Sequence, residues 1–71
     1  MIIAGQLNKG VMLDISTHAV RLEDTRITAY SMAGYSYTLA SYETEERAEQ
    51  VFLNLLEATE DGDKFFTMPT H

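Results

Sequence analysis

Apolar positions along this chain follow two rhythms. Up to about residue 42 they come in short runs or alternate with polar residues, the period of a strand. From residue 45 to 60 they recur at the spacing of a helix. Met1–Gly5 is a short apolar run that reads as a strand. Gln6–Gly10 follows as a turn, with Asn8 and Gly10 suited to left-handed backbone. Val11–Ile15 is apolar apart from Asp14 and reads as a second strand, broken off by Ser16 and Thr17. His18–Leu22 alternates, with His18, Val20 and Leu22 on one face and Ala19 and Arg21 on the other. Glu23 and Asp24 read as a turn. Thr25–Ser31, rich in β-branched and aromatic residues, is the next strand. Met32–Gly34 turns the chain again, with Gly34 supplying a positive φ. Tyr35–Tyr42 then alternates, placing Tyr35, Tyr37 and Leu39 on one side and Ser36, Thr38, Ala40 and Tyr42 on the other.

The change of period falls at Thr44, a good N-cap, followed by Glu45 and Glu46 where carboxylates favour the helix dipole. Arg47 stands where a capping box would need Glu or Gln. Ala48, Val51, Phe52, Leu55 and Leu56 form one apolar stripe, and Gly62 is a C-terminal stop. The spacing therefore predicts a helix over Glu45–Glu60, about 24 Å long. Lys64–Met68 reads as a short strand closed by Pro69. The expected fold is a single α+β domain over residues 1–71: an antiparallel β-meander of four to five strands packed on one amphipathic helix, with a short C-terminal strand.

Composition narrows the chemistry. With 71 residues and no cysteine, the chain has neither disulfides nor thiolate metal sites. A domain of this length buries a small core, so self-association is the expected reinforcement and a homo-oligomer the expected state. No apolar run approaches the ~20 residues of a membrane-spanning helix, and the N-terminus lacks the basic start and apolar core of an export signal. A cytoplasmic protein with no membrane partner is expected.

The formal charge of −6 is distributed unevenly. Residues 1–35 hold three acids (Asp14, Glu23, Asp24) and three bases (Lys9, Arg21, Arg26). Residues 36–71 hold eight acids against Arg47 and Lys64. All the excess lies on the helix and its flanks. Direct nucleic-acid binding is disfavoured, because it rests on Lys and Arg neutralising phosphate. The acids form either a solvated face or a surface that mimics phosphates and blocks a basic groove.

Catalytic and metal constellations are weak. Asp14, Ser16 and His18 share a parity, but neighbours two apart on a strand stand about 6.5–7 Å apart, too far for a hydrogen-bonded triad. His18 and His71 are the only imidazoles, and Gly5 and Gly10 are isolated. No catalytic residue, metal or cofactor is expected, and the protein is not expected to be an enzyme. The most suggestive set is basic and aromatic: Arg21, Arg26, Tyr30, Tyr35, Tyr37 and His18, on adjacent strands. Guanidinium pairs with phosphate and tyrosine stacks on bases, so this set is the candidate pocket for a small nucleotide at a subunit interface.

The segment Tyr42–Val51 (YETEERAEQV), running on to Phe66–Pro69 (FTMP), resembles a set of small phage and prophage proteins of Gram-positive bacteria. In these a strand ends near a Y-x-T-E-E-R-A helix start and a closing strand ends in MP. Val11–Ile15 (VMLDI) resembles a further strand of theirs, and the likeness is clearest over residues 35–69. The shared motif is structural and carries no catalytic residue. The resemblance implies an accessory protein that acts by binding in the host cytoplasm. One form is a sponge for a host nucleotide immune signal. The other is an acidic inhibitor or regulator of a basic host protein, similar to anti-CRISPR nucleic-acid mimics. A third class is a minor virion component.

Overall fold

The computed structural model describes residues 1–5, 12–14 and 18–71, and for Met12 and Leu13 the backbone alone. The turn expected over Gln6–Gly10, the ends of the Val11–Ile15 strand and the break at Ser16 and Thr17 lie outside the described residues. The elements are β1 (Ile2–Ala4), β2 (Met12–Asp14), β3 (His18–Glu23), β4 (Arg26–Ser31), β5 (Ser36–Ser41), α1 (Glu45–Glu60) and β6 (Phe65–Thr67). The class is α+β. The meander has three strands, β3-β4-β5, and the remaining strands form a second sheet of order β2-β1-β6. The expected four to five strands do not line up in one sheet because β1 sits between two other partners. It pairs antiparallel with β2 and parallel with β6, Ile3 lying opposite Phe66. Ile2 donates its amide to the Lys64 carbonyl (2.9 Å) and Met68 donates to Ala4 (3.1 Å), so the segment after the helix is stitched along β1.

β3 and β4 form a tight hairpin in which Glu23 lies opposite Arg26. The turn residues are Asp24 and Thr25, one position later than the sequence suggests, and Glu23 is the last residue of β3. Asp24 adopts φ 55, a left-handed conformation that Asp tolerates better than most residues. Along β3 the predicted alternation holds: His18, Val20 and Leu22 are half-buried, and Ala19 and Arg21 are exposed.

β5 departs from simple alternation. Thr28 pairs with Thr38 but Ile27 pairs with Ala40, so Leu39 is an extra residue in β5. Such a bulge sets two residues against one and shifts the phase of the strand. Leu39 and Ala40 are both buried, and Tyr42 beyond them is buried as well. The expectation that Leu39 and Ala40 face opposite sides is corrected by this one inserted residue.

The helix matches its sequence prediction at both ends. Thr44 accepts a hydrogen bond at Oγ1 from the Arg47 amide (3.2 Å). At the other end Gly62 takes φ 77, its amide reaching Thr59 (3.2 Å) while the Asp63 amide reaches Ala58 (3.0 Å). This is a Schellman closure, which favours glycine at the left-handed position. Replacing Thr44 by alanine removes the capping oxygen and should destabilise the fold by about 1 kcal/mol in urea unfolding.

The core joins both sheets to one helix face. Ile3 and Met68 come from the β1–β6 side, Ile27, Ala29, Leu39 and Ala40 from the meander, and Ala48, Val51 and Leu55 from α1. The helix stripe is narrower than expected: Ala58 is buried, Phe52 is half-buried, and Leu56 is 44% exposed.

Candidate binding surfaces

Two surfaces carry chemistry. The first is the face of the meander that looks away from the core. Cross-strand partners share a face, so the pairs Arg21–Thr28, Ala19–Tyr30 and Glu23–Arg26 all lie on this side. Arg21, Arg26 and Tyr30, three of the predicted ligand residues, are thereby brought together. The Arg21 guanidinium carbon lies 5.6 Å from the centroid of the Tyr30 ring, within cation–π range.

His18 and Tyr37 are not part of that group. Ala29 is the β4 partner of both Val20 and Tyr37, which places Tyr37 on the core-facing side with His18. There the two rings meet edge to face with centroids 6.0 Å apart. His18 Nδ1 also lies 3.0 Å from the Asp14 carbonyl oxygen. Tyr35 sits in the turn before β5 and is 66% exposed. The six residues are thus divided between two faces and a turn.

Sequence reasoning missed Glu23, which sits among the arginines. Tyr30 donates its hydroxyl to Glu23 Oε1 (2.5 Å). That bond, with a second from the Thr28 side chain and the nearby Arg21 and Arg26 charges, holds the Glu23 carboxyl below its usual range. The same contact raises the Tyr30 phenol above its ordinary value. A carboxylate thus already lies within the field of Arg21 and Arg26 and offsets part of their charge. The available signal was hairpin register: with the turn on Asp24 and Thr25, Glu23 and Arg26 become directly opposed, a favoured pair of unlike charges.

The sign of the pH effect follows. Because the folded-state pKa of Glu23 is depressed, its stabilising contribution is present above the ordinary value of 4.5 and is lost as pH falls through the lowered folded value. Tyr30→Phe removes the largest cause, so the Glu23 carboxyl should titrate closer to 4.5 in an NMR pH series, and acid destabilisation below that pH should weaken.

The second surface is the outward side of α1. At 3.6 residues per turn, Glu46, Glu49, Leu53, Leu56 and Glu60 fall within a sector of about 80° turned away from Ala48, Val51, Leu55 and Ala58. Leu53 stands nearly opposite the core and is 51% exposed. A shallow hollow around it is lined by Thr44, Glu46, Arg47, Glu49, Gln50 and Leu53. The one base in the helix, Arg47, forms part of this lining and is held by neighbours. Arg47 donates through Nε to the His71 carbonyl (2.8 Å) and through Nη1 to Gln50 Oε1 (2.8 Å). Its guanidinium also lies 5.8 Å from the Tyr42 ring centroid. Tyr42 is itself anchored, donating its hydroxyl to the Pro69 carbonyl (2.8 Å), and burial raises its pKa. Arg47 thus stands at the edge of the outward sector of α1, which itself carries carboxylates and leucines.

Among the described residues, no group of three His, Asp or Glu side chains converges to hold a metal ion. No described helix is long and apolar enough to cross a membrane. Set against known protein families, curated proteins and solved structures, the chain finds no match.

Proposed function

We propose that the protein is a non-enzymatic binding protein that occludes a basic partner protein through the outward side of α1. The supporting observation is the composition of that side: exposed Leu53 and Leu56 flanked by Glu46, Glu49 and Glu60, with Arg47 as the single base beside them, already engaged by Gln50 and the His71 carbonyl. Carboxylates attract a cationic partner over distance, and exposed leucines give it apolar area to cover. The resemblance to small phage proteins makes the setting an infected bacterial cytoplasm and the partner a host protein. The nucleotide-sponge reading draws less support, since Glu23 offsets the Arg21 and Arg26 charges and His18 and Tyr37 lie on the opposite face. The homo-oligomer expected from the short chain would have to assemble away from α1, because two such faces repel.

The test is affinity isolation from host extract with wild-type and Glu45→Lys/Glu46→Lys/Glu49→Lys baits. The reading expects a protein of high pI on the wild-type bait, released as salt rises and missing from the variant. Identical sets of captured proteins on the two baits would defeat it, as would a nucleotide co-purifying stoichiometrically and lost in Arg21→Ala.

A further inference from the structure

We infer that the outward side of α1 is a helix-docking seam whose occupant is a cationic amphipathic helix, a choice of partner that rests on the reading above. Glu46, Glu49, Leu53, Leu56 and Glu60 are separated by three, four, three and four residues. That is the alternation of a and d positions in a coiled coil, where side chains of one helix seat between those of another. The spacing is common to any helix face; what distinguishes this one is that two of its positions are exposed leucines. Here the inner row (Ala48, Val51, Leu55, Ala58) is buried in the core, and the outer row is exposed. The seam spans about 21 Å, roughly two heptads.

Its sequence specifies what fits. The two central positions are leucines, exposed by 51% and 44%, and ask for apolar side chains opposite. The ends are glutamates, which ask for Lys or Arg. The long stems of those residues can lie along the leucines while their charged heads meet carboxylate oxygens. A second copy of this chain is the wrong occupant. Paired antiparallel, the Glu46 and Glu49 end of one α1 would face the Glu60 end of the other; paired parallel, each glutamate would face itself. Two chains of formal charge −6 repel as they approach. A polynucleotide is excluded by the same charge. A basic groove that merely reads phosphate-like charge is the competing occupant, and it would make no use of Leu53 and Leu56.

The two readings separate with synthetic peptides. One is a 21-residue helix of Leu and Lys with leucines grouped on one face. The other is a scramble of the same composition that disperses them. Both carry the same charge, so both should bind the acidic face at low salt. The seam predicts that, by fluorescence anisotropy at 0.15 M salt, the grouped peptide binds at least tenfold tighter. Leu53→Ser/Leu56→Ser should abolish that ratio while leaving affinity for the scramble within about twofold. Both substitutions are at exposed positions, and an unchanged circular dichroism melt will confirm that the variant is folded. Equal affinity for the two peptides overturns the seam and leaves the acidic-face reading standing. Binding of neither at low salt overturns both. A wild-type dimer that dissociates on Leu53→Ser/Leu56→Ser overturns the choice of occupant.

Discussion

Reversing three charges on the first turns of α1, Glu45→Lys/Glu46→Lys/Glu49→Lys, should weaken binding to a cationic partner between about fivefold and twenty-thousandfold at low salt. Exposed ion pairs contribute about 0.2–1 kcal/mol each, and reversal replaces each attraction with a repulsion of similar size. Three sites then total about 1–6 kcal/mol, which converts to that range of affinity. The change also adds six positive units and brings the formal charge of −6 to zero, so long-range steering disappears. Such steering raises association rates by about 10–10³. Most of the loss should therefore appear in the on-rate, measured by stopped-flow or surface plasmon resonance. At about 1 M salt the screening length shrinks to ~3 Å, and wild type and variant should converge. A difference that survives such salt undiminished would mean that these carboxylates act by something other than charge. Glu45 and Glu46 also favour the helix dipole, so their reversal costs about 0.3–1 kcal/mol each in stability. The matching Gln variant removes the charges more gently and should show the same trend at smaller amplitude.

Ile27→Ala is expected to be the most damaging conservative change in the chain. Ile27 lies in the central strand of the meander, is fully buried, and is opposed by Leu22 on β3 and Ala40 on β5. Truncating a buried isoleucine removes transfer free energy and leaves a cavity, together about 2–5 kcal/mol. At roughly 0.05–0.15 kcal/mol per residue, a domain of this size has about 4–11 kcal/mol in total. The substitution therefore takes a large share, and the midpoint of thermal unfolding should fall by roughly 10–40 °C. Leu53→Ala is the control: away from the core it should change stability by no more than about 0.5 kcal/mol. A calorimetric scan of the two variants checks both numbers. Similar losses in both would mean that Leu53 is covered by something in the folded protein.

Legibility in the sequence tracked the range of the interactions involved. The helix was readable from end to end because cap, first-turn acids, apolar period and terminal glycine are all local signals, and Thr44 and Gly62 serve as expected. The extents of β3, β4 and β5 were readable because alternation and turn residues are local too, but the extra residue at Leu39 was not, since a bulge shows only against its partner strand. The parallel pairing of β1 with β6 was not, since those strands are separated by most of the chain and nothing in either names its partner. Leu56 was placed with the core because Val51, Phe52, Leu55 and Leu56 suit a broad apolar stripe. The buried row that forms is narrower and takes Ala58 instead. In the Arg/Tyr set, alternation along β3 already separates His18 from Arg21, but the registers that place Tyr30 with Arg21 and Tyr37 with His18 are not local signals. The pleat sends His18 and Tyr37 one way and Arg21 and Tyr30 the other, and a one-residue error in the turn hid Glu23 as their neighbour.

The surplus residue at Leu39 has a consequence for α1. Only four residues separate Ala40 from Glu45, and within them Tyr42 points inward to hold Pro69 while Thr44 begins the helix. Were Leu39 instead paired regularly with Ile27, Ala40 and Tyr42 would swing outward and the phenol would leave its carbonyl, so the helix would start from a strand presenting its other face. The azimuth at which the leucine and glutamate row meets the outside world is thus indexed by a single irregularity one strand upstream.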